Sequence, residues 1–220
     1  DFGYALCARR IRDEDRAGLD LRAWRTAISG AEPVRAESLS AFAAAFAPSG
    51  FDERAFAPSY GLAETTLYVT GGAGRTPVRL DVDPAALADG AVAAPRGTTS
   101  RTLVGCGRVA NDDRVVIVDP ATRRRCADGH VGEIWIAGAS VAPGYWNRDE
   151  DTRSAFGARL EHDRSDAAYL RSGDLGFVLD GELFVSGRAK DVLIVRGKCH
   201  YPQDIERTAE RAHPLLRPGA

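Results

Sequence analysis

The feature that most limits the possible folds is a series of short apolar segments in the second half of the chain, each followed by a turn signal. They read RVVIVDP, GEIWIAG, AAYLRSGD, LGFVLD and ELFVSG. Asp180 and Gly181 separate the last two, and an Asp-Gly pair between apolar strands is typical of a two-residue β-hairpin. Residues 102–187 are therefore predicted to form a compact β-rich unit, a small distorted β-barrel.

The first hundred residues predict a different architecture, in which strands alternate with helices. The helical spacing of apolar residues is found in YALCARRIRDEDRA and RAESLSAFAAAFAP, and short strands are predicted for WRTAISG and FAPSYG. Such alternation favours an α/β fold with a parallel sheet covered by helices. Within this predicted α/β subdomain, residues 1–100, the stretch from about 71 to 101 is rich in glycine, proline, alanine and threonine. We interpret it as a surface insertion.

The end of the chain predicts a hairpin, VLIVRG followed by KCHYP, and then a helix that begins at Pro202. These elements are too few to bury a core of their own. We therefore expect residues 192–220 to be the truncated start of an α+β C-terminal domain. The sequence also contains no methionine, so we expect the chain to begin inside a longer protein.

Composition excludes several classes of function. The net charge of −2 gives no electrostatic reason to expect binding to nucleic acid or to an anionic membrane surface. No apolar run approaches the length that spans a bilayer. The four cysteines are far apart in sequence and form no CxxC pair, which argues against a zinc site or a disulfide framework. We expect a reducing, cytoplasmic location.

The stretch SYGLAETT, Ser59 to Thr66, combines an aromatic ring, a glycine, a carboxylate and two hydroxyl groups. These residue types suit a site for a nucleotide and Mg²⁺, because Tyr60 could stack on a base and Glu64 could hold the metal between phosphates. The alternative is a strand-to-helix turn in which a glutamate and a threonine act as caps. A short motif of this kind does not decide between the two.

Three other positions are candidates for binding, each with an ordinary alternative. Gly30 follows a predicted strand and could let small residues flank a flat ring, although in isolation a plain turn before Pro33 is favoured. Asp174, in YLRSGDLG, could accept both hydroxyls of a ribose or simply form an Asx-turn. Arg188, in SGRAKD, could bind ribose or phosphate oxygens or form a surface ion pair.

The order and spacing of these motifs resemble those of the adenylate-forming superfamily over nearly the whole chain. YGLAETT is similar to its Tyr-Gly-x-x-Glu motif, and GEIWIAGASVAPGYWNRDEDT to its Gly-Glu-Ile…Gly-Tyr-Trp segment. YLRSGDLG resembles the ribose-binding turn, and GRAKD the hinge between the large and small domains. The resemblance implies the C-terminal part of the large N-domain, a hinge at residues 188–191, and the start of the small domain.

A closer resemblance is to the fatty acyl-AMP ligases. It is carried by ISGAEPV, by YGLAETT, by the long stretch between Glu64 and Cys106, and by RGKCHYPQDIE. In that family the insertion is thought to hinder the rearrangement that acyl-CoA ligases use to form thioesters. The resemblance therefore implies an acyl carrier protein or a polyketide synthase as the partner, a fatty acid as the substrate, and ATP with Mg²⁺ as cofactors.

The roles of individual residues follow from this resemblance alone. It implies that Glu64 is catalytic as the Mg²⁺ ligand and that Lys190 is the hinge residue, while the role of Lys198, the other lysine of the chain, stays open. The nucleotide-binding residues that it implies are Gly30, Ala31, Glu32, Tyr60, Gly61, Thr65, Asp174 and Arg188.

Two alternatives to this interpretation remain. One is a long-chain fatty acyl-CoA ligase, and the other is an adenylate-binding module that has lost catalysis. The second alternative gains weight because the phosphate loop and the catalytic lysine that the family uses are expected outside this sequence. We therefore expect the isolated chain to be inactive.

Overall fold

A computed structural model describes residues 1–163, 167–195, 198–213 and 216 of the chain. The side chain of Lys198, whose role the sequence left open, and the predicted turn at 196–197 lie outside the described residues. So do the last residues of the predicted C-terminal domain.

The described part contains six α-helices, twelve strands and three short 3₁₀ turns, Ala47–Ser49, Glu53–Ala55 and Ala63–Thr65. The helices are α1 Phe2–Arg10, α2 Asp13–Arg16, α3 Ala36–Phe46, α4 Pro84–Ala88, α5 Asp149–Ala155 and α6 Pro202–Ala212. The strands are β1 Ala27–Ser29, β2 Phe56–Pro58, β3 Thr70–Gly71, β4 Arg79–Val82, β5 Arg101–Val104, β6 Arg108–Val109, β7 Arg114–Val118, β8 Gly132–Ala137, β9 Leu170–Leu179, β10 Glu182–Arg188, β11 Leu193–Val195 and β12 Lys198–His200.

The N-terminal part is a βαβ arrangement, as the alternating pattern predicted. Strands β1 and β2 pair in parallel, and α3 forms the connection between them. The helix buries Leu39, Phe42 and Phe46, whose spacing of three and four residues places them on one face. They pack with Phe51 and Phe56 in one apolar cluster. The packing of α3 therefore fixes the two parallel strands side by side, with their carboxyl ends at the same edge.

The β-rich unit contains an antiparallel sheet in the order β10-β9-β8-β7. Asp180 and Gly181 have positive φ angles of 51° and 79° and form the predicted two-residue turn between β9 and β10. The prediction of two separate strands for AAYLRSGD and LGFVLD is wrong, because both belong to β9. Pairing continues across Gly173, since three residues of β9 bulge opposite a single residue of β8.

The segment that we predicted as an insertion packs against both neighbouring parts of the chain. Strand β4 pairs with β5, and Asp83 caps α4 by accepting hydrogen bonds from Ala85 N and Ala86 N at 2.8 and 3.1 Å. Val82 and Leu87 are fully buried in a cluster with Phe177 of the sheet and Tyr201, which precedes α6. The segment thus joins the sheet to the last elements of the chain.

The C-terminal elements are those predicted from the sequence. Strands β11 and β12 form an antiparallel hairpin, and α6 begins at Pro202. No helix in the described ranges is long and apolar enough to cross a membrane.

Candidate functional site

A cavity of about 590 Å³ opens beside the carboxyl ends of β1 and β2. Ligands of open α/β sheets bind at this edge, because the loops that leave the strands diverge there. The cavity collects six of the residues that the sequence singled out. They are Ala31, Glu32, Tyr60, Gly61, Asp174 and Arg188.

The turn after β1 approaches the chain after β2 closely. A Cβ atom on Gly30 would lie 2.9 Å from both the carbonyl and the hydroxyl oxygen of Ser59, so any larger residue would push the two segments apart. Ala31 has a φ of 64°, a left-handed conformation that costs a non-glycine residue free energy. This turn therefore places Ala31 and Glu32 on the cavity, whereas Gly30 lies behind them against Ser59.

Asp174 is the central carboxylate of the cavity. Its Oδ2 accepts a hydrogen bond of 2.8 Å from the Tyr60 hydroxyl, and its Oδ1 lies 3.3 Å from Nε of Arg188. The Asx-turn alternative is wrong, because the carboxylate reaches out of its own turn to these two partners. Each carboxylate oxygen has two acceptor positions, so capacity for hydroxyl donors of a ligand remains.

Burial raises the pKa of Asp174 above its ordinary value. The hydrogen bond from Tyr60 and the charge of Arg188 oppose this rise, whereas the charges of Glu64 and Asp191 add to it. Burial, with the charge of Asp174, also raises the pKa of the Tyr60 phenol. Tyr60 is therefore a neutral donor at physiological pH, and the site gathers negative charge around Asp174.

Glu64 lies outside the cavity wall but close enough for its charge to act on Asp174. It lies within the short 3₁₀ turn Ala63–Thr65, whose N-cap residue, Leu62, makes no side-chain cap. Oε1 of Glu64 accepts a hydrogen bond of 2.6 Å from the hydroxyl of Tyr145, and this bond raises the pKa of Tyr145 to about 12. Sequence reasoning assigned no role to Tyr145, although it belongs to the Gly-Tyr-Trp segment.

Thr65, predicted to bind nucleotide, is fully buried, and its hydroxyl donates to the carbonyl of Leu62 at 3.0 Å. The structure thus places its side chain inside the turn and not on the cavity.

The predicted hinge lies at the rim of the site. Lys190 is exposed and does not line the cavity. The preceding amide, Ala189 N, donates to the carbonyl of Gly173 at 2.9 Å. Asp191 N and Val192 N both donate to the carbonyl of Arg188, at 3.1 and 3.2 Å. Residues 188–192 therefore form a tight turn, called the hinge turn below after its predicted role. Its backbone is hydrogen-bonded to the bulge of β9 that contains Asp174.

Two arginines that line the cavity, Arg35 and Arg101, were not predicted from the sequence as site residues. Arg35 lies 3.0 Å from the carboxylate of Glu210. Arg101 is buried, donates to Asp204 at 2.9 Å and to the carbonyl of Ser186 at 3.0 Å, and stacks over the ring of Tyr201. Both contacts join residues far apart in sequence, so no local pattern could indicate them. They hold α6 against the cavity.

Gly61 should be the least replaceable glycine of the site. A Cβ atom there would lie 1.4 Å from the carbonyl oxygen of Leu67, a distance that no rotamer change relieves. We expect Gly61→Ala to lower the free energy of unfolding by about 3 kcal/mol or more, as measured by urea denaturation. Gly97→Ala is the control, because a Cβ atom on Gly97 meets nothing within 4 Å. Equal stability of the two variants would contradict this prediction.

Comparison with known proteins places these features in a wider context. Residues 4–146 match the family model described as AMP-binding enzyme. The medium-chain-fatty-acid acyl-carrier-protein ligase JamA of Moorena producens is 47% identical over 99% of this chain, which covers 37% of JamA. The putative fatty-acid–CoA ligase FadD21 of Mycobacterium tuberculosis is 43% identical over 96% of the chain, which covers 37% of FadD21.

A solved structure is also similar. The fatty acyl-adenylate ligase from L. pneumophila, in complex with acyl adenylate and pyrophosphate, superposes with a TM-score of 0.81 at 45% identity. The superposition covers 97% of this chain and 37% of that protein. The chain thus spans little more than a third of the length of the curated relatives that it matches.

Proposed function

The chain belongs to the AMP-binding enzyme family, and from this premise we propose that the whole protein activates a fatty acid with ATP. The products would be a fatty acyl-AMP and pyrophosphate, and the acyl group would then pass to the phosphopantetheine thiol of an acyl carrier protein. The observation that carries the proposal is the Asp174 carboxylate, held between Tyr60 and Arg188 in a cavity large enough for a nucleotide.

Asp174 and Arg188 would bind the ribose. The carboxylate accepts from the two ribose hydroxyls, and the guanidinium of Arg188 donates to a ribose or phosphate oxygen. Residues 30–32 and Tyr60 would frame the adenine, with Gly30 and Gly61 allowing these segments to pack closely against Ser59 and Leu67. Thr65 would act indirectly, through the turn in which its hydroxyl is bonded.

Glu64 suits a Mg²⁺ ion that accompanies ATP. Magnesium sites of this kind use one or two carboxylates together with substrate phosphates, so a protein cluster of several ligands is not needed. The described residues contain no group of three or more His, Cys, Asp or Glu side chains that could hold a metal by themselves. The ion would neutralise phosphate charge, and Tyr145 would orient the Glu64 carboxylate through its hydrogen bond.

The reaction would proceed in two steps. The fatty-acid carboxylate attacks the α-phosphorus of ATP, the bond to the β-phosphate oxygen breaks, and pyrophosphate leaves. The thiol sulfur then attacks the acyl carbon, AMP leaves, and the thiol proton passes to solvent. The residues of this chain contribute to the first step by positioning the nucleotide, since in-line displacement depends on geometry and charge neutralisation.

The choice of a carrier protein as the acceptor is supported by the relative JamA and by the packing of the predicted insertion. Val82 and Leu87 bury their side chains together with Tyr201, at the start of α6. Because these contacts join the insertion to the predicted small domain, they would raise the free-energy cost of rotating that domain, and a carrier protein would offset this cost through a larger binding surface than free CoA offers. The FadD21 relative favours a second candidate, a fatty acyl-CoA ligase.

Product identity tests the proposal and separates the two candidates. The whole protein would be supplied with fatty acid and ATP, with an acyl carrier protein and CoA in parallel, and the products identified by mass spectrometry. We expect acyl-AMP and acyl carrier protein thioester, and acyl-CoA only after deletion of about residues 74–99. Efficient acyl-CoA formation by the unaltered protein would favour the CoA ligase, and the absence of acyl-AMP would favour a non-catalytic module.

Replacement of Glu64 gives a separate prediction. We expect Glu64→Gln to slow pyrophosphate exchange and to shift its dependence on Mg²⁺ to higher concentrations, because an amide is a weaker magnesium ligand than a carboxylate. Glu53→Gln serves as the control, because Glu53 is exposed at the start of another 3₁₀ turn. A Glu64→Gln protein with an unchanged Mg²⁺ dependence and a lowered melting temperature would assign Glu64 a structural role instead.

A further inference from the structure

A second carboxylate, that of Glu133, lies beside the bulge of β9 that contains Asp174. Glu133 is in β8, next to the bulge of β9, and only 4% of its surface is exposed. It does not line the cavity, so the proposed chemistry leaves it without a direct role. A buried carboxylate is costly unless donors surround it, and its partners are therefore informative.

Four hydrogen bonds converge on Glu133. Its Oε2 accepts from Trp135 Nε1 at 2.9 Å and from Nε and Nη2 of Arg171 at 3.1 and 3.0 Å. Its Oε1 accepts from the backbone N–H of Gly173 at 3.2 Å. One carboxylate thus binds a side chain at the start of the bulge and the backbone at its centre.

The bulge has other attachments as well, including the pairing of Asp174 with Arg188 of β10. Ser172 donates its hydroxyl to the carbonyl of Ile134 at 2.6 Å and accepts from the N–H of Asp174 at 3.0 Å. The carbonyl of Gly173 accepts from Ala189 N, just before the predicted hinge residue. Gly173 is therefore held on its N–H side by Glu133 and on its carbonyl side by the hinge turn.

We propose that Glu133 is a positioning residue. It fixes the bulge so that the Asp174 carboxylate points into the cavity, where it contacts Tyr60 and Arg188. The proposal rests on the proposed function, in which Asp174 binds the nucleotide. Because Gly173 also binds Ala189, the same carboxylate sets the distance between the bulge of β9 and the hinge turn.

Glutamine cannot replace this carboxylate in its place. Glu133 accepts at both oxygens, whereas an amide offers one acceptor oxygen and one NH₂ donor. Whichever way the amide is turned, its NH₂ group faces a donor, either Gly173 N–H or the Arg171 guanidinium. Glu133→Gln therefore breaks the contact with either Gly173 N–H or the Arg171 guanidinium, while it keeps the volume of the side chain.

The experiment compares Glu133→Gln with Glu182→Gln in the whole protein. Glu182 is a matched control, because it is 5% exposed and likewise accepts from a backbone N–H, that of Gly107 at 2.8 Å, and from an arginine, Arg75. Calorimetry with AMP gives the Kd, pyrophosphate exchange gives KM for ATP and for the fatty acid, and thermal unfolding reports on stability. Asp174→Ala is the reference for loss of the nucleotide contact.

We expect Glu133→Gln to raise the Kd for AMP and the KM for ATP on the order of tenfold or more, and to leave the KM for the fatty acid unchanged. Glu182→Gln should lower the melting temperature without weakening AMP binding. A folded Glu133→Gln protein with wild-type affinity for AMP overturns the proposal, as does equal weakening by Glu182→Gln. If Glu133→Gln does not fold, Arg171→Met serves instead, because it removes the guanidinium that binds Glu133 at a partly exposed position. An unchanged Kd of Arg171→Met for AMP also overturns the proposal.

The outcome also separates this inference from the proposed function. If the unaltered protein does not bind AMP, or if Asp174→Ala binds it normally, the proposed nucleotide site is wrong. If Asp174→Ala loses binding and Glu133→Gln keeps it, the nucleotide site stands and the positioning role is wrong.

Discussion

Replacement of Asp174 by alanine is expected to slow acyl-AMP formation by the whole protein on the order of a hundredfold or more. The variant would lose two charge-assisted hydrogen bonds to the ribose, each worth ~1.5–3 kcal/mol. Pyrophosphate exchange measures this loss directly. Asp180→Asn is the control in the same sheet, because Asp180 lies in the hairpin turn at a φ of 51°, where asparagine is well tolerated.

The stability of Asp174 variants should change in the opposite direction. Burial raises the pKa of Asp174 in the folded protein above its value in the unfolded chain. The folded state is therefore destabilised as the pH rises through the window from the unfolded to the folded pKa, and this loss persists at neutral pH. We expect Asp174→Asn, whose carbonyl still accepts from Tyr60, to melt no lower than the unaltered protein at pH 7. A lower melting temperature of Asp174→Asn would contradict this prediction of stability. Pyrophosphate exchange by Asp174→Ala within a few-fold of wild type would contradict the assignment of Asp174 to the ribose.

Local patterns in the sequence predicted most elements of the fold. The apolar spacing of Leu39, Phe42 and Phe46 indicated α3, and the Asp180–Gly181 pair indicated the hairpin of β9 and β10. These features depend on residues within a few positions of one another. The division of β9 into two strands failed for a related reason. A glycine in a strand pattern predicts a break, but Gly173 lies in a bulge of β9 on both sides of which pairing with β8 continues.

The site could be predicted only where a motif carries its own chemistry. Tyr60, Asp174 and Arg188 lie in recognisable short motifs, and the structure brings them together. The supporting contacts could not be predicted, because each joins distant parts of the chain. Tyr145 reaches Glu64 across 81 positions, and Arg101 reaches Asp204 across 103. Nothing in the immediate sequence of these residues sets their partners.

The contacts of α6 with the cavity bear on how the protein could change shape. Arg35 and Arg101, both from the cavity wall, bind Glu210 and Asp204 of this helix. A rotation about the predicted hinge would break these ion pairs and separate Tyr201 from Arg101. In the proposed cycle the arginines would therefore stabilise one of two poses, and the hinge would have to be free for the other to form.

Lys190→Pro should stop this alternation and abolish detectable loading of the carrier protein, while acyl-AMP still forms. Proline fixes φ near −65° and lacks an N–H group, so it cannot follow the large backbone rotation of a hinge. In the described part of the chain, the N–H of Lys190 donates to no backbone acceptor, so this pose loses no such bond. Single-turnover assays that measure acyl-AMP and carrier thioester separately would test the prediction.

Lys190→Ala is the matched variant, because it removes the side-chain charge and leaves the backbone free to rotate. If the role of Lys190 is that of a hinge, Lys190→Ala should load the carrier protein far better than Lys190→Pro. Equal loss in both variants would assign the effect to the ammonium group and not to the backbone. Unchanged loading by Lys190→Pro would remove the hinge role, while the nucleotide site built around Asp174 would stand, since none of its contacts passes through the side chain of Lys190.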